Sequence, residues 1–202
     1  METRKLVIST GNQNKVKEIA YMLKDMKIEV ISKKDIGFGD LEVIEDGNTL
    51  EANSILKAKA LAEKVDYKYI VMADDSGLFV DKLNGEPGIY SSRYAGEEGN
   101  DEKNNKKLLE ELKDIPLEER NAKFKTVIVL ITENKETLVV DGHCKGAIGL
   151  TAKGNNGFGY DPLFIPEGFI ETFSELGEDI KNQISHRAKA LEKLKEEIKK
   201  II

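Results

Sequence analysis

The sequence predicts an α/β fold with a central mixed β-sheet flanked by helices, and three observations carry that reading. Strand and helix patterns alternate early in the chain, which favours parallel strands with helices packed on the sheet. A hairpin pattern follows later and adds antiparallel pairing, so the sheet is mixed. The third observation is size. A chain of 202 residues, 40% of them hydrophobic, buries roughly 70% of the surface it exposes when unfolded, and is expected to form a single domain over residues 1–202.

Lys5-Leu6-Val7-Ile8-Ser9 is a β-branched run that stops at Thr10-Gly11-Asn12. Val16, Ile19, Ala20, Leu23 and Met26 then recur at helical spacing, giving strand, turn and helix. A second strand is predicted at 28–32. An irregular stretch with Gly37, Gly39 and Gly47 leads to Thr49, a helix cap, and to a helix striped by Ala58, Leu61, Ala62 and Val65. Ile70-Val71-Met72-Ala73 is a buried-type strand that ends in Asp74-Asp75-Ser76-Gly77. Gly85-Glu86-Pro87-Gly88 is a turn, and 103–113 a polar helix with Leu108, Leu109 and Leu112 on one side. Strands at 124–131 and 137–144 flank the turn Glu133-Asn134-Lys135 as a hairpin. A glycine-rich loop at 154–162 precedes a last helix that starts at Ser185 and carries Leu191, Leu194, Ile198 and Ile201. The sequence has no internal repeat, low-complexity segment or linker.

Charged residues make up 34% of the chain and the net charge is −6, which argues against holding nucleic acid by sequence-independent attraction to phosphates. Any anion site is therefore local. Cys144 is the only cysteine; it excludes an intrachain disulfide and a cysteine-based zinc site and favours a reducing, cytoplasmic setting. No apolar stretch reaches the roughly 18 residues of a spanning helix, and Met1 to Lys5 leads into a strand without a signal-peptide pattern. No membrane association is expected. Lysine and glutamate prevail over glutamine and cysteine, a weak mark of heat adaptation.

Three constellations point to chemistry. Thr10-Gly11-Asn12-Gln13-Asn14-Lys15 lies where the first strand meets the first helix, and a helix start offers backbone N–H groups and partial positive charge to a phosphate. The spacing is not that of a Walker loop. Lys15 in that first turn opposes the helix dipole unless an anion is near. The last helix repeats the anomaly, with His186 and Arg187 directly after the cap Ser185. Both helix starts are therefore expected to face one polyanion, and arginine, used four times in this chain, grips phosphate oxygens in bidentate fashion. The second constellation is acidic, Glu45-Asp46 with Asp74-Asp75, and suits Mg²⁺, which takes one or two carboxylates and completes its shell with water and phosphate. The third, Phe158-Gly159-Tyr160-Asp161-Pro162, places an aromatic ring on a flexible loop where a base can stack. Taken singly, each segment also has a plain reading, as a capped turn, as turn sequences and as a common type of glycine-rich loop. His143 and Cys144 are read as packing residues of a strand.

Taken in order, 9–12 with Lys15 and Glu18, 74–78, 87–96, 158–162 and 185–187 resemble the inosine triphosphate pyrophosphatase family over nearly the whole chain. The resemblance implies two lobes around a nucleotide-binding cleft, a homodimer, and hydrolysis of ITP, dITP or XTP to the monophosphate and pyrophosphate. It also implies roles: Thr10, Gly11, Asn12, Gln13, Asn14 and Lys15 bind the triphosphate, joined by Lys57, Ser76, Lys181, His186 and Arg187. Glu45 and Asp75 hold Mg²⁺, Asp75 is the proton acceptor, and Phe158, Gly159, Tyr160 and Asp161 form the base pocket. One position departs. Where the family commonly has Glu-Asn, this chain has Ala52-Asn53, and Glu51 faces elsewhere on a helix. Rival readings are a related pyrophosphatase or phosphotransferase with another nucleotide preference, and a non-catalytic nucleotide-binding module.

Overall fold

A computed structural model describes residues 4–200. The elements in chain order are β1 (Arg4–Ile8), α1 (Gln13–Met22), β2 (Ile28–Ser32), α2 (Leu50–Lys64), β3 (Ile70–Val80), β4 (Pro87–Gly88) and α3 (Asp101–Glu111). They are followed by β5 (Asn121–Ile131), β6 (Thr137–Ile148), β7 (Phe164–Pro166), α4 (Phe173–Leu176), α5 (Glu178–Ile184) and α6 (His186–Ile198). The strands make one seven-stranded sheet in the order β2-β1-β3-β5-β6-β7, with β4 paired to β3. It is mixed, as predicted. β1 runs parallel to β2 (Leu6 opposite Val30) and to β3 (Val7 opposite Val71). β3 and β4, and β6 and β7, are antiparallel, with Leu78 opposite Gly88 and Ala147 opposite Ile165.

The chain divides into two compact units, neither a single stretch of sequence. The first takes residues up to 75, 126–142 and from 190 onward. Its core gathers Val7, Val71, Ala73, Val129 and Ile131 from the strands with Ala58, Leu61 and Ala62 from α2, so the stripe read from the sequence is the buried face. Each such large aliphatic contributes about 1.5–3 kcal/mol by leaving water. The second unit takes 76–125 and 143–189. Its core packs Leu108 and Leu112 of α3 against Leu78, Val80, Phe124, Phe164 and Phe173, with ring centroids 4.7 Å apart for Phe124 and Phe164 and 5.3 Å for Phe164 and Phe173.

Most elements fall where expected, and the departures have physical causes. Met26 lies beyond the end of α1, whose last turn is closed at Leu23. β3 continues through Asp74-Asp75-Ser76-Gly77 to Val80, because both acids find cationic partners while still in the strand. β6 alternates, so that Cys144 is buried as expected while His143 is exposed. Two short helices, α4 and α5, were not predicted; α4 starts with a capping box between Thr172 and Glu175. Ile201, placed on the last helical stripe, and Met1 to Thr3 lie outside the described residues.

Candidate active site

The first unit gathers charge at the end of β1 and the middle of β3. At the β1–α1 turn, Asn12 caps α1, its Oδ1 accepting from Asn14 N at 2.9 Å and Lys15 N at 3.2 Å, while Thr10 Oγ1 accepts from Asn12 N at 3.1 Å. A Cβ built on Gly11 would meet no atom within 4 Å; with Asn12, Gln13 and Asn14 also exposed, the outer face of the turn is open. Lys15 projects to Asp74, with Nζ 3.0 Å from Oδ2 of a side chain that is 0% exposed. The helix-start lysine thus has a protein carboxylate as its anion. Its placement alone is therefore no evidence of a substrate phosphate.

Next to this pair, Lys57 of α2 reaches two carboxylates at once, its Nζ lying 2.8 Å from Asp75 Oδ1 and 3.0 Å from Glu45 Oε2. Asn53 Nδ2 lies 3.5 Å from the other Asp75 oxygen, and Thr126 Oγ1 donates to the Asp75 carbonyl at 3.1 Å. Ser9 Oγ donates to the Lys57 carbonyl, tying the end of β1 to α2. Burial pushes the Asp75 carboxyl above the usual range, an effect that Lys57 and Lys15 only partly offset. Burial also penalises charged Lys57, but Asp75 and Glu45 together hold its pKa above the ordinary lysine value. Lys15 and Lys57 thus sit among three carboxylates, Glu45, Asp74 and Asp75. Among the described residues no group of three or more His, Cys, Asp or Glu side chains is assembled as a metal site. The donors that do converge, Glu45 and Asp75, are hard oxygens in the number Mg²⁺ takes from protein.

The second unit assembles the remaining predicted residues. Asp161 Oδ2 accepts from Phe158 N at 2.9 Å and from Lys181 Nζ at 2.5 Å. The Lys181 ammonium lies 4.4 Å, and the Arg187 guanidinium carbon 5.9 Å, from the centroid of the Phe158 ring. Arg187 Nη2 donates to Ser76 Oγ at 3.2 Å, although the side chain is only 1% exposed. Ser185 caps α6 as predicted, accepting from Ala188 N. His186 stacks on Phe124 at 4.8 Å, so its ring packs against the core. Tyr160 is also buried. Its hydroxyl donates to the Ser91 carbonyl at 2.8 Å, which makes the side chain a support of the loop, and burial raises its pKa above the usual tyrosine value.

The predicted residues therefore form two groups. Lys15, Glu45, Lys57, Asp74 and Asp75 are together in one, and Ser76, Phe158, Asp161, Lys181 and Arg187 in the other; Asp75 and Ser76 are consecutive in β3. Sequence reasoning missed the pairing of Lys15 with Asp74 and two residues of α3, Asp101 and Asn105, that bind Gly159. No local signal marks these last contacts, which span 58 and 54 residues.

Comparison with known proteins agrees with these motifs. The model of the Ham1 family matches residues 6–197. The chain is 51% identical to a dITP/XTP pyrophosphatase of Clostridium perfringens, over 98% of this chain and 99% of that protein. It is 49% identical to one of Haemophilus influenzae, over 96% and 99%. The solved Ham1 protein of Staphylococcus aureus superimposes with a TM-score of 0.85 at 40% identity, covering 98% of this chain and all of that one. With a family match over nearly its whole length and relatives this similar, the chain belongs to the Ham1 family.

Proposed function

We propose that the chain is a nucleoside triphosphate pyrophosphatase that cleaves deaminated purine nucleotides, ITP, dITP and XTP, to the monophosphate and pyrophosphate. The observation that carries this reading is the Lys57 ammonium set between Glu45 and Asp75, with Asp75 made a stronger base by burial. The dITP/XTP pyrophosphatases named above, nearly half or more identical over almost their full lengths, support the substrate class.

In this mechanism Asp75 accepts a proton from the attacking water, whose oxygen forms the new bond to the α-phosphorus. The bond from the α-phosphorus to the bridging oxygen breaks, and pyrophosphate leaves with the electron pair. Lys57 and Lys15 stabilise the growing negative charge, and the α1 start, Thr10 to Asn14, holds phosphate oxygens. Mg²⁺ held by Glu45 and Asp75 supplies charge neutralisation on those oxygens when bound. Phe158 stacks on the base. Lys181, tied to Asp161 beside that ring, belongs with the base loop, where it offers a donor to a 6-keto oxygen that the adenine amine cannot use. Such a mismatch is worth up to roughly 10⁴-fold in specificity. Ser76 and Arg187 complete the substrate contacts. The whole chain acts as one catalytic domain, assembles as a homodimer and works in the cytoplasm; among the described residues no helix is long and apolar enough to cross a membrane.

Incubation with Mg²⁺ and a panel of ITP, dITP, XTP, ATP and GTP tests the reading. The expected result is pyrophosphate and monophosphate from the deaminated purines at far higher kcat/KM than from ATP or GTP. Release of single phosphates, or binding without turnover, would remove it.

A further inference from the structure

We infer that Asp101 and Asn105 are positioning residues that hold the aromatic loop in register and thereby set base selectivity. The inference rests on the assignment of Phe158 to the base. The two side chains lie four residues apart on α3 and so share one helix face. Gly159 N donates to Asp101 Oδ2 at 2.6 Å, and Asn105 Nδ2 donates to the Gly159 carbonyl at 2.9 Å. Gly159 is left-handed, with φ +63°, and a Cβ there would meet no atom within 4 Å; its conformation, and not a lack of space, favours glycine. Since a left-handed residue interrupts any regular ladder, its two peptide groups need partners from elsewhere, and α3 supplies both.

The residue before it is held equally firmly. Phe158 N donates to the same Asp161 oxygen that receives Lys181. The place of the Phe158 ring beside Lys181 and Arg187 is thus set by three polar side chains. Only Asp161 is in the loop. Asp101 also sits in the first turn of α3, after the cap Asn100, where its negative charge favours the helix. The two roles separate by chemistry: asparagine keeps an acceptor oxygen for Gly159 N but gives up the charge, and alanine loses both.

Kinetics with ITP and with ATP test the inference on Asp101→Ala, Asp101→Asn and Asn105→Ala. The expected result for the two alanine variants is a KM for ITP raised about tenfold with kcat within about twofold, and a smaller preference for ITP over ATP. Asp101→Asn should stay within about threefold of the parent in KM. The chain has no tryptophan, so Phe158→Trp adds one tryptophan that can be excited apart from the tyrosines, and its anisotropy without nucleotide should fall when Asp101→Ala is added. That second readout decides the point even if the parent does not hydrolyse ITP, an outcome that would sink the proposed function and leave the clasp to be judged by anisotropy. Unchanged KM, preference and anisotropy in Asp101→Ala would overturn the inference. So would equal losses in Asp101→Ala and Asp101→Asn, which would mark a helix-start charge effect.

Discussion

Asp75 combines two properties that seldom coexist in a carboxylate: an ammonium 2.8 Å away and a pKa above the ordinary value because burial outweighs that neighbour. Replacement by asparagine keeps the shape and removes the base, so Asp75→Asn should lower kcat by roughly 10²–10⁴-fold, the usual worth of a positioned proton acceptor. The acid limb of the parent's kcat/KM profile should have its midpoint above the normal aspartate value. The folded protein binds this proton more tightly than the unfolded chain does, so the stability linked to Asp75 is complete below its unfolded value and is lost as pH rises through the folded one. Asp75→Asn has no such proton to lose. Its melting temperature relative to the parent should therefore rise between pH 4 and pH 7, and a gap that stays flat or narrows would show that Asp75 is not held above its normal value. The neighbouring pair behaves differently. Asp74 is fully buried and faces Lys15, and removing one partner of such a pair costs about 3–5 kcal/mol. Lys15→Met should accordingly destabilise the protein by about that amount in urea, and adding Asp74→Asn should recover much of the loss. If the double variant is no more stable than Lys15→Met, the loss does not come from the Asp74 charge that Lys15 faced.

Among the elements, those whose burial follows a simple period were legible in the sequence: β1, α1, β2 and α2 fall within a few residues of their predicted bounds. Asp-Asp-Ser-Gly is turn chemistry when seen alone and predicts an end to β3 after Ala73; only long-range partners, Lys15 and Lys57, let it remain a strand. α4 and α5 are too short to show a period, although the Thr172-x-x-Glu175 capping box stands in the sequence and could have located α4. The site divides in the same way. Glu45 and Asp75 stand out as acidic pairs in the sequence and Lys57 enters only through family resemblance, but that one ammonium joins the two carboxylates is a fact of tertiary structure, as is the grip of α3 on Gly159. Arg120 shows the same limit at a helix end. It is buried, and donates to the carbonyls of Leu112, Ile115 and Gly149, which closes the C-terminal end of α3. Arg120→Met leaves these acceptors without their donor at about 1–3 kcal/mol each. Thermal melts should show a large loss of stability while kcat and KM measured well below the melting temperature stay within about twofold. A variant as stable as the parent would mean that water replaces the guanidinium.

At the scale of the whole molecule, the two units are interleaved along the chain, and this bears on how the protein unfolds. The boundary between them falls inside β3, β5, β6 and α6, each of which is one unbroken element. Neither unit can therefore lose its strands without cutting into a strand that the other also uses, whereas domains built from separate stretches of chain can melt one at a time. We expect a single calorimetric transition with an enthalpy per chain set by the size of the whole molecule. For 202 residues that enthalpy should be roughly 140 kcal/mol near 60 °C. A non-hydrolysable ITP analogue with Mg²⁺ at one hundred times its Kd adds about 2.7 kcal/mol of stability, which for a chain of this size moves the midpoint by roughly 6 °C. Because the units share their strands, that shift should carry the entire transition upward without splitting it. Two resolved transitions, or a nucleotide shift confined to part of the heat absorption, would show that the strands uncouple at the boundary and that each unit melts alone.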